Sequence, residues 1–380
     1  MESRVGRLVI KMETYKVTKR FVLHVGYSCN ERCEFCYYLD DLKKGRIKDG
    51  TTAQNKRKIA IAAAFGKTAI DISGGEPTIR PDLPELISYC REKGFRDITI
   101  ITNGQRTADP AYCRTLKEAG LTEGLFSIHS HSAEIHDGFT HVPGSFERIN
   151  RSVENFRAAG LQVRVNTVVN SENYKYLDQF FELVHKYQPR TVNLILFNPS
   201  ETASKLSKDN AIRISDYQII GDAVSAALDK WKEKIGIVNV RFLPFCFLRK
   251  HPDCIRTEWQ KVHEDQEWDP ILLVAFQKNW PAAIASTLAG FFTQWNVPAY
   301  RSGDFLTYLN KKLSGFRMKL YYRQGAPCRN CSLSPICTGL QRDYVGKFGF
   351  PDVEPFRLPG KVHDPLHFVK GLKDIFASLR

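Results

Sequence analysis

Cys29, Cys33 and Cys36 stand in the run Cys-Asn-Glu-Arg-Cys-Glu-Phe-Cys, a C-x3-C-x2-C spacing on one short stretch of chain. Thiolates are soft donors that suit iron-sulfur centres and zinc. Three of them converging from one loop leave a four-iron cluster one ligand short, so one iron keeps an open position. A second set lies far downstream: Cys328, Cys331 and Cys337 in C-x2-C-x5-C spacing, with Cys246 as a fourth thiol and Cys254 as a spare. Four thiolates suit a fully ligated cluster, and they also suit a closed structural zinc. Joining Cys33-x2-Cys36 to Cys328-x2-Cys331 would make a four-cysteine zinc site, but it would leave Cys29 over. Cys90 and Cys113 fall on expected outer helices and read as inert.

Two further stretches carry chemistry. In Gly74-Gly75-Glu76-Pro77 the glycines let the backbone come close to a ligand, and the glutamate can accept charge-assisted hydrogen bonds from an ammonium group. His129, His131, His136 and His141 form a histidine-rich run in which a His-x-His pair can bind metal or move protons near neutral pH. The plainer reading of that run is loop polarity and helix capping. If one of these histidines is catalytic, His129 is the best placed, being nearest the end of the strand that precedes it.

Those residues need a scaffold, and the chain supplies a strand-helix alternation from residue 21 onward. Strands are expected at 21–27, 68–73, 96–102, 124–130, 161–169 and 191–197, and helices at 51–65, 84–93, 110–118, 146–159, 174–187 and 212–232. Asp109-Pro110 places an N-cap acid before proline, while Gly94, Gly120 and Gly160 follow helix ends. Alternating units of this kind give a parallel sheet with helices outside. Six βα units are too few for a closed eight-stranded barrel, so the expected fold is α/β, a partial (β/α)6 TIM-type barrel. In such a barrel the site forms at the C-terminal ends of the strands. That rule gathers the cysteine triplet, Gly74 to Pro77, Asn103, Ser127 to His131, Asn166 and Asn198 at one mouth.

The expected domains are an N-terminal extension (1–20), the barrel (21–235), a cysteine-rich auxiliary domain with an insert (236–345), and a C-terminal tail and helix (346–380). A strand-like stretch, 238–242, leads into the third of these. The apolar stretch 271–295 is broken by Lys278, Pro281 and Gly290, so it does not read as a transmembrane span. A buried helix, a lid over the mouth and an interfacial helix are its three readings. A chain of 380 residues with 43% hydrophobic and 12% aromatic residues is globular and large enough for one α/β domain with an appendage. Ten cysteines without a secretory leader pattern point to a reducing compartment and metal ligation, hence a cytoplasmic protein. The formal charge of +14 favours anionic partners, among them a phosphorylated or carboxylated metabolite, an acidic peptide, RNA or a membrane surface.

The cysteine triplet with Phe35 before its last member, followed one strand later by Gly-Gly-Glu-Pro, resembles the radical S-adenosylmethionine (SAM) enzymes over roughly residues 21–198. The resemblance implies a 4Fe-4S cluster on Cys29, Cys33 and Cys36, with the amino and carboxylate groups of SAM chelating the fourth iron. One electron from that cluster would cleave SAM to methionine and a 5′-deoxyadenosyl radical, which takes a hydrogen atom from the substrate. Phe35 is expected beside the cluster and adenine, Gly74, Gly75, Glu76 and Pro77 at the methionine end of SAM, and Ser127 and Asn166 at its ribose and carboxylate. C-x2-C-x5-C resembles the SPASM and shorter twitch auxiliary-cluster domains. The full SPASM pattern continues with a cysteine at position 341, where this chain has Gln341, and that departure implies one auxiliary 4Fe-4S cluster held with Cys246. Zinc is the lesser alternative there. The implied partners are a reductant such as flavodoxin or ferredoxin and a peptide or small anionic substrate in natural-product, peptide-modifying or cofactor biosynthesis. An RNA-modifying radical SAM enzyme and a non-catalytic zinc-stabilised binding protein stay as alternatives, with nucleic acid not favoured.

Overall fold

The computed structural model describes residues 20–36, 48–197, 216–256, 281, 322–351, 353–363 and 367–368. Nearly all of the expected N-terminal extension, the apolar stretch and the closing helix lies outside these residues, as does Asn198.

Seven parallel strands form one sheet in chain order: β1 (Arg20–Gly26), β2 (Ala69–Gly74), β3 (Asp97–Thr102), β4 (Glu123–Ser127), β5 (Gln162–Val169), β6 (Thr191–Leu196) and β7 (Ile237–Arg241). The helices between them are α1 (Thr52–Ala64), α2 (Leu83–Glu92), α3 (Pro110–Ala119), α4 (Ala133–Thr140), α5 (Ser145–Ala158), α6 (Leu177–Lys186) and α7 (Tyr217–Ile235). Each strand buries one parity of residues against the helices, as Val163, Val165, Thr167 and Val169 do on β5. The helices answer with matching stripes. On α2, Leu83, Leu86, Ile87 and Cys90 recur at the three-to-four spacing that puts them on one face, and all are fully buried. Asp109 accepts from Ala111 N–H at 2.9 Å to start α3, and Gly120, at φ 113°, ends it in the left-handed region that a side chain would strain.

The other parity faces the barrel interior, and one ion pair shows how strongly the sheet curls. Arg164 on β5 lies 3.2 Å from Asp71 on β2, although three strand spacings, about 14 Å along the sheet, separate the two strands. Such a contact is open only across a concave face. Arg20 joins the same carboxylate at 2.5 Å, and Arg164 Nε lies 2.6 Å from Glu123 Oε2, so an ionic plug closes the lower interior.

The structure amends the sequence expectations in three places. β4 ends at Ser127 rather than 130, because His129 N–H donates to His136 Nδ1 and Val168 N–H is taken by His129 Nδ1, which removes the next ladder bonds. Residues 133–140, read as loop, form α4. The sheet runs past the expected barrel boundary at 235, since β7 pairs in parallel with β6 from Ile237 to Arg241. Farther on, β8 (Tyr322–Arg323), α8 (Ala326–Arg329), β9 (Leu340–Gln341) and α9 (Arg342–Phe348) form a small unit around the downstream cysteines. Tyr344 of α9 stacks on Tyr217 of α7 with ring centroids 4.0 Å apart, which fixes that unit to the barrel.

Candidate active site at the mouth of the barrel

Cys29, Cys33 and Cys36 leave β1 on a loop whose backbone is pinned from three sides. Asp49 Oδ1 accepts from Tyr27 N–H at 2.6 Å and Ser28 N–H at 2.9 Å. Arg32 N–H and Glu34 N–H donate to Thr140 and Phe139 carbonyls at the end of α4. Gly26 and Ser28 carbonyls accept from Gly75 and Glu76 N–H, both at 2.9 Å. This last pair of bonds joins the cysteine stretch to the Gly-Gly-Glu-Pro stretch, which lies one strand away.

The glycines serve that junction. A Cβ at Gly74 would lie 2.0 Å from Gly26 O, and one at Gly75 would lie 2.1 Å from Ser28 O. Their lack of a side chain therefore permits the close approach of two protein backbones at the junction. Glu76 is bound within the protein at the same junction. Its Oε1 accepts from Thr78 N–H, Thr78 Oγ1 and Thr102 Oγ1, and its Oε2 from Asn103 N–H at 2.7 Å. The carboxylate is 2% exposed and ties the end of β2 to the end of β3, so its oxygens are largely committed before any ammonium group arrives. Burial pushes its carboxyl above the usual glutamate range, and these bonds pull it back. Pro77 opens the short helical turn Pro77–Ile79 that carries Thr78 into position.

The thiols are half-buried and close enough to act on one another. Burial first, then the neighbouring carboxylates and thiols, pushes Cys29 up to about 12 and Cys33 well above the ordinary thiol value. Three such groups ionise together only beside positive charge, which an iron-sulfur centre provides. Glu31 N–H donates to Cys29 Sγ at 3.4 Å, a bond of the kind that tunes a cluster. The donor set therefore fits a three-thiolate cluster. Glu31 itself is buried, with Gln105 Nε2 donating to Oε1 at 2.9 Å, and Arg148 donating in turn to Gln105. Burial lifts its carboxyl to about 7.

Phe35 is buried with its ring edge-on to His129 at 4.5 Å and to Phe139 at 5.9 Å, sealing the loop against α4. His129 is placed at the mouth, with burial holding its ring toward the neutral form. Its Nδ1 accepts from Val168 N–H at 3.3 Å, so the proton sits on Nε2, and burial holds the ring's pKa well below its ordinary value. The ring is a neutral hydrogen-bond donor. The other histidines disperse: His136 stacks on His129 at 5.8 Å with its pKa lowered by burial to about 4, His131 packs on Tyr176, and His141 lies 3.2 Å from Glu34. Among the described residues no three His, Cys, Asp or Glu side chains close around a single-ion position. Ser127 and Asn166 are register partners on β4 and β5.

The downstream cysteines also come together. Cys246, on the turn Phe245–Phe247 after β7, is raised by burial and then by Cys337, Cys328 and Cys331 in turn, so the four thiols are neighbours. Cys254 is buried elsewhere, beside Asp253, Lys232 and Arg256. Lys361 Nζ donates to the carbonyls of Arg329 and Cys331, and Gly339 N–H to Cys337 Sγ at 3.4 Å, which holds the knuckle's shape. Gln341 is fully buried and donates to Phe197 O at 3.4 Å, fastening β9 to the end of β6.

Asp49, Gln105, Asn173, Asn193 and Asn239 escaped the sequence reading. Asn173 Nδ2 donates to the His129 and Val168 carbonyls, both at 2.8 Å. The signal available for Asn193 and Asn239 was their interior parity on strands; Asp49 offered none.

Comparison with known proteins agrees with this geometry. Residues 23–184 match the family model described as the Radical SAM superfamily. The AdoMet-dependent heme synthase of Oleidesulfovibrio alaskensis is 32% identical over 199 residues, covering 51% of this chain and 49% of that protein. A probable GTP 3′,8-cyclase of Saccharolobus islandicus is 31% identical over 203 residues, covering 52% of this chain and 60% of that protein. The chain thus matches between about half and three-fifths of these relatives' lengths. Among solved structures, Streptococcus suis SuiB bound to S-adenosylmethionine shares the fold, with a TM-score of 0.51 and 17% identity over 66% of this chain and 56% of that one. The barrel is thus the part of the chain that matches the radical SAM superfamily and shares its fold.

Proposed function

We propose that this chain is a radical SAM enzyme acting on a small anionic metabolite in cofactor biosynthesis, with a second iron-sulfur cluster in its C-terminal unit. The observation that carries the reading is the junction of the two motifs, in which Gly75 and Glu76 N–H bond to the Gly26 and Ser28 carbonyls beside three partly exposed thiols. Cys29, Cys33 and Cys36 would hold a 4Fe-4S cluster, whose chemistry is the one-electron cleavage of bound SAM. Phe35 and the neutral His129 would wall the site on the α4 side, keeping water from a reactive radical. Ser127 and Asn166 would offer polar contacts to SAM from the interior face.

Cys246, Cys328, Cys331 and Cys337 supply four thiols for an auxiliary 4Fe-4S cluster that exchanges an electron with the substrate. A closed structural zinc on the same four thiols is the alternative, with each sulfur about 2.3 Å from one ion. Support for a metabolite comes from relatives named for making heme and for cyclising GTP. The net charge of +14 agrees with an anion, and a flavodoxin or ferredoxin would serve as reductant in a reducing, cytoplasmic setting. No helix among the described residues is long and apolar enough to cross a membrane.

The test is 5′-deoxyadenosine formation from SAM by the anaerobically reconstituted chain with a chemical reductant. Wild type is expected to form it and Cys33→Ala to form none while keeping its fold, because the loop lies at the rim. Undiminished product in the variant would overturn the assignment.

A further inference from the structure

The interior face of the last strands carries a row of side chains that begins at Asn166, proposed above to meet SAM, and ends at a cation that the cysteine loop and Glu76 leave unused. Asn166, Asn193 and Asn239 are register partners across β5, β6 and β7. Beyond β7 the chain adds one more rung, where Ile255 bridges Val240 in parallel and Arg256 N–H donates to Val240 O at 3.0 Å. Arg256 Nε donates to Asn239 Oδ1 at 3.2 Å, Asn239 Nδ2 to Asn193 Oδ1 at 2.8 Å, and Asn193 Nδ2 to Asn166 Oδ1 at 2.6 Å.

A guanidinium has no acceptor, so Arg256 sets the direction of all three amides. Every amide oxygen in the row is consumed, and donors remain at both ends. Among the described residues, Asn166 Nδ2 and the two Nη groups of Arg256 make no hydrogen bond or ion pair, and Arg256 Nη1 is buried.

A purely structural role for Arg256 needs only Nε, the atom that holds Asn239. Among the described residues its two Nη groups are left without an ion-pair partner, an arrangement that an anionic ligand would complete. Asp253, the acid that acts most on this guanidinium, is held by Lys232 at 2.6 Å. The interior carboxylates Asp71 and Glu123 are engaged by Arg20, Arg164 and Arg190 at the other end of the barrel. Burial lowers the pKa of Arg256 against the opposing effect of Cys254 and Asp253.

We propose that this row is the anchoring subsite for an oxyanion of the substrate, a carboxylate or a phosphate, with Arg256 as its charged donor and the asparagines holding the guanidinium in place. The proposal deepens the radical SAM reading, since it assigns the anion to the substrate of that same barrel.

The test titrates the full reconstituted chain with inorganic phosphate and, separately, with malonate, reading binding by calorimetry. At least one probe is expected to bind wild type and to bind Arg256→Gln about ten- to a hundredfold more weakly. Preference for malonate or for phosphate tells the two oxyanion classes apart. Equal affinity in wild type and Arg256→Gln, or no binding of either probe by wild type, overturns the proposal. Should Arg256→Gln fail to fold, Arg256→Lys keeps the charge and loses the planar fork, so planar malonate should weaken more than phosphate; no change in either would again overturn it. Substrate-free 5′-deoxyadenosine formation by wild type is measured alongside. Its absence would sink the radical SAM reading and leave the anion result standing.

Discussion

At Glu76 the chemistry of the second motif turns inward. Its carboxylate binds Thr102 and Asn103, which stand 26 and 27 residues away on the next strand, so the role could not be read from the four-residue motif. The cysteines were legible because ligand chemistry depends on residue type and local spacing, and both are printed in the sequence. The glycines were legible as close-approach positions, but what approaches them is decided by pairing between strands. Gly75→Ala tests this distinction: a Cβ 2.1 Å from Ser28 O would part the two loops, so the variant should lose iron from the first site and melt at lower temperature. Normal iron content and an unchanged melting temperature would show that the glycine faces a ligand only. His129 was legible as a mouth residue, whereas its neutrality depends on Val168 N–H, which belongs to the neighbouring strand.

At the level of elements, the strand-helix alternation was readable because each strand keeps one parity apolar and each helix keeps a stripe. α4 was missed because it is short, carries Gly138 and three polar residues of the histidine run, and is held mainly from outside. Asp137, for example, accepts from Gly144 and Phe146 N–H to join it to α5. β7 was seen as a strand, but its place in the sheet depends on pairing with β6 across the whole of α7. The ionic plug was likewise hidden, since Asp71 and Arg164 meet only when the sheet curls. Arg20 and Arg164 hold the Asp71 carboxyl below the ordinary aspartate range against the opposing effect of burial. A lowered folded pKa gives stability that is present above the unfolded value and lost as pH falls through the folded one. Asp71→Asn should therefore cost about 3–5 kcal/mol at neutral pH. The gap from wild type should close as pH drops below about 4. A gap independent of pH, measured by denaturant unfolding, would remove the ion pairs as its cause.

Across the whole molecule, two thiol sets are held by one scaffold: the first at the exit of β1, the second completed by Cys246 just past β7, at the two edges of the same open sheet. Gln341 departs from the full SPASM pattern and binds the Phe197 carbonyl, so the C-terminal unit is latched to the barrel at the position where that pattern places a ligand. One auxiliary cluster then predicts that Cys331→Ala loses roughly half of the iron while the first site keeps its share; unchanged iron with loss of zinc would instead make the second set a structural zinc site. The central claim, that Cys29, Cys33 and Cys36 carry the cluster that cleaves SAM, is tested most directly by iron and sulfide per chain after anaerobic reconstitution. Wild type is compared with the variant carrying Cys29→Ala, Cys33→Ala and Cys36→Ala together. A fall from about eight irons to about four is the predicted result. Iron content unchanged by removal of all three thiols would contradict it.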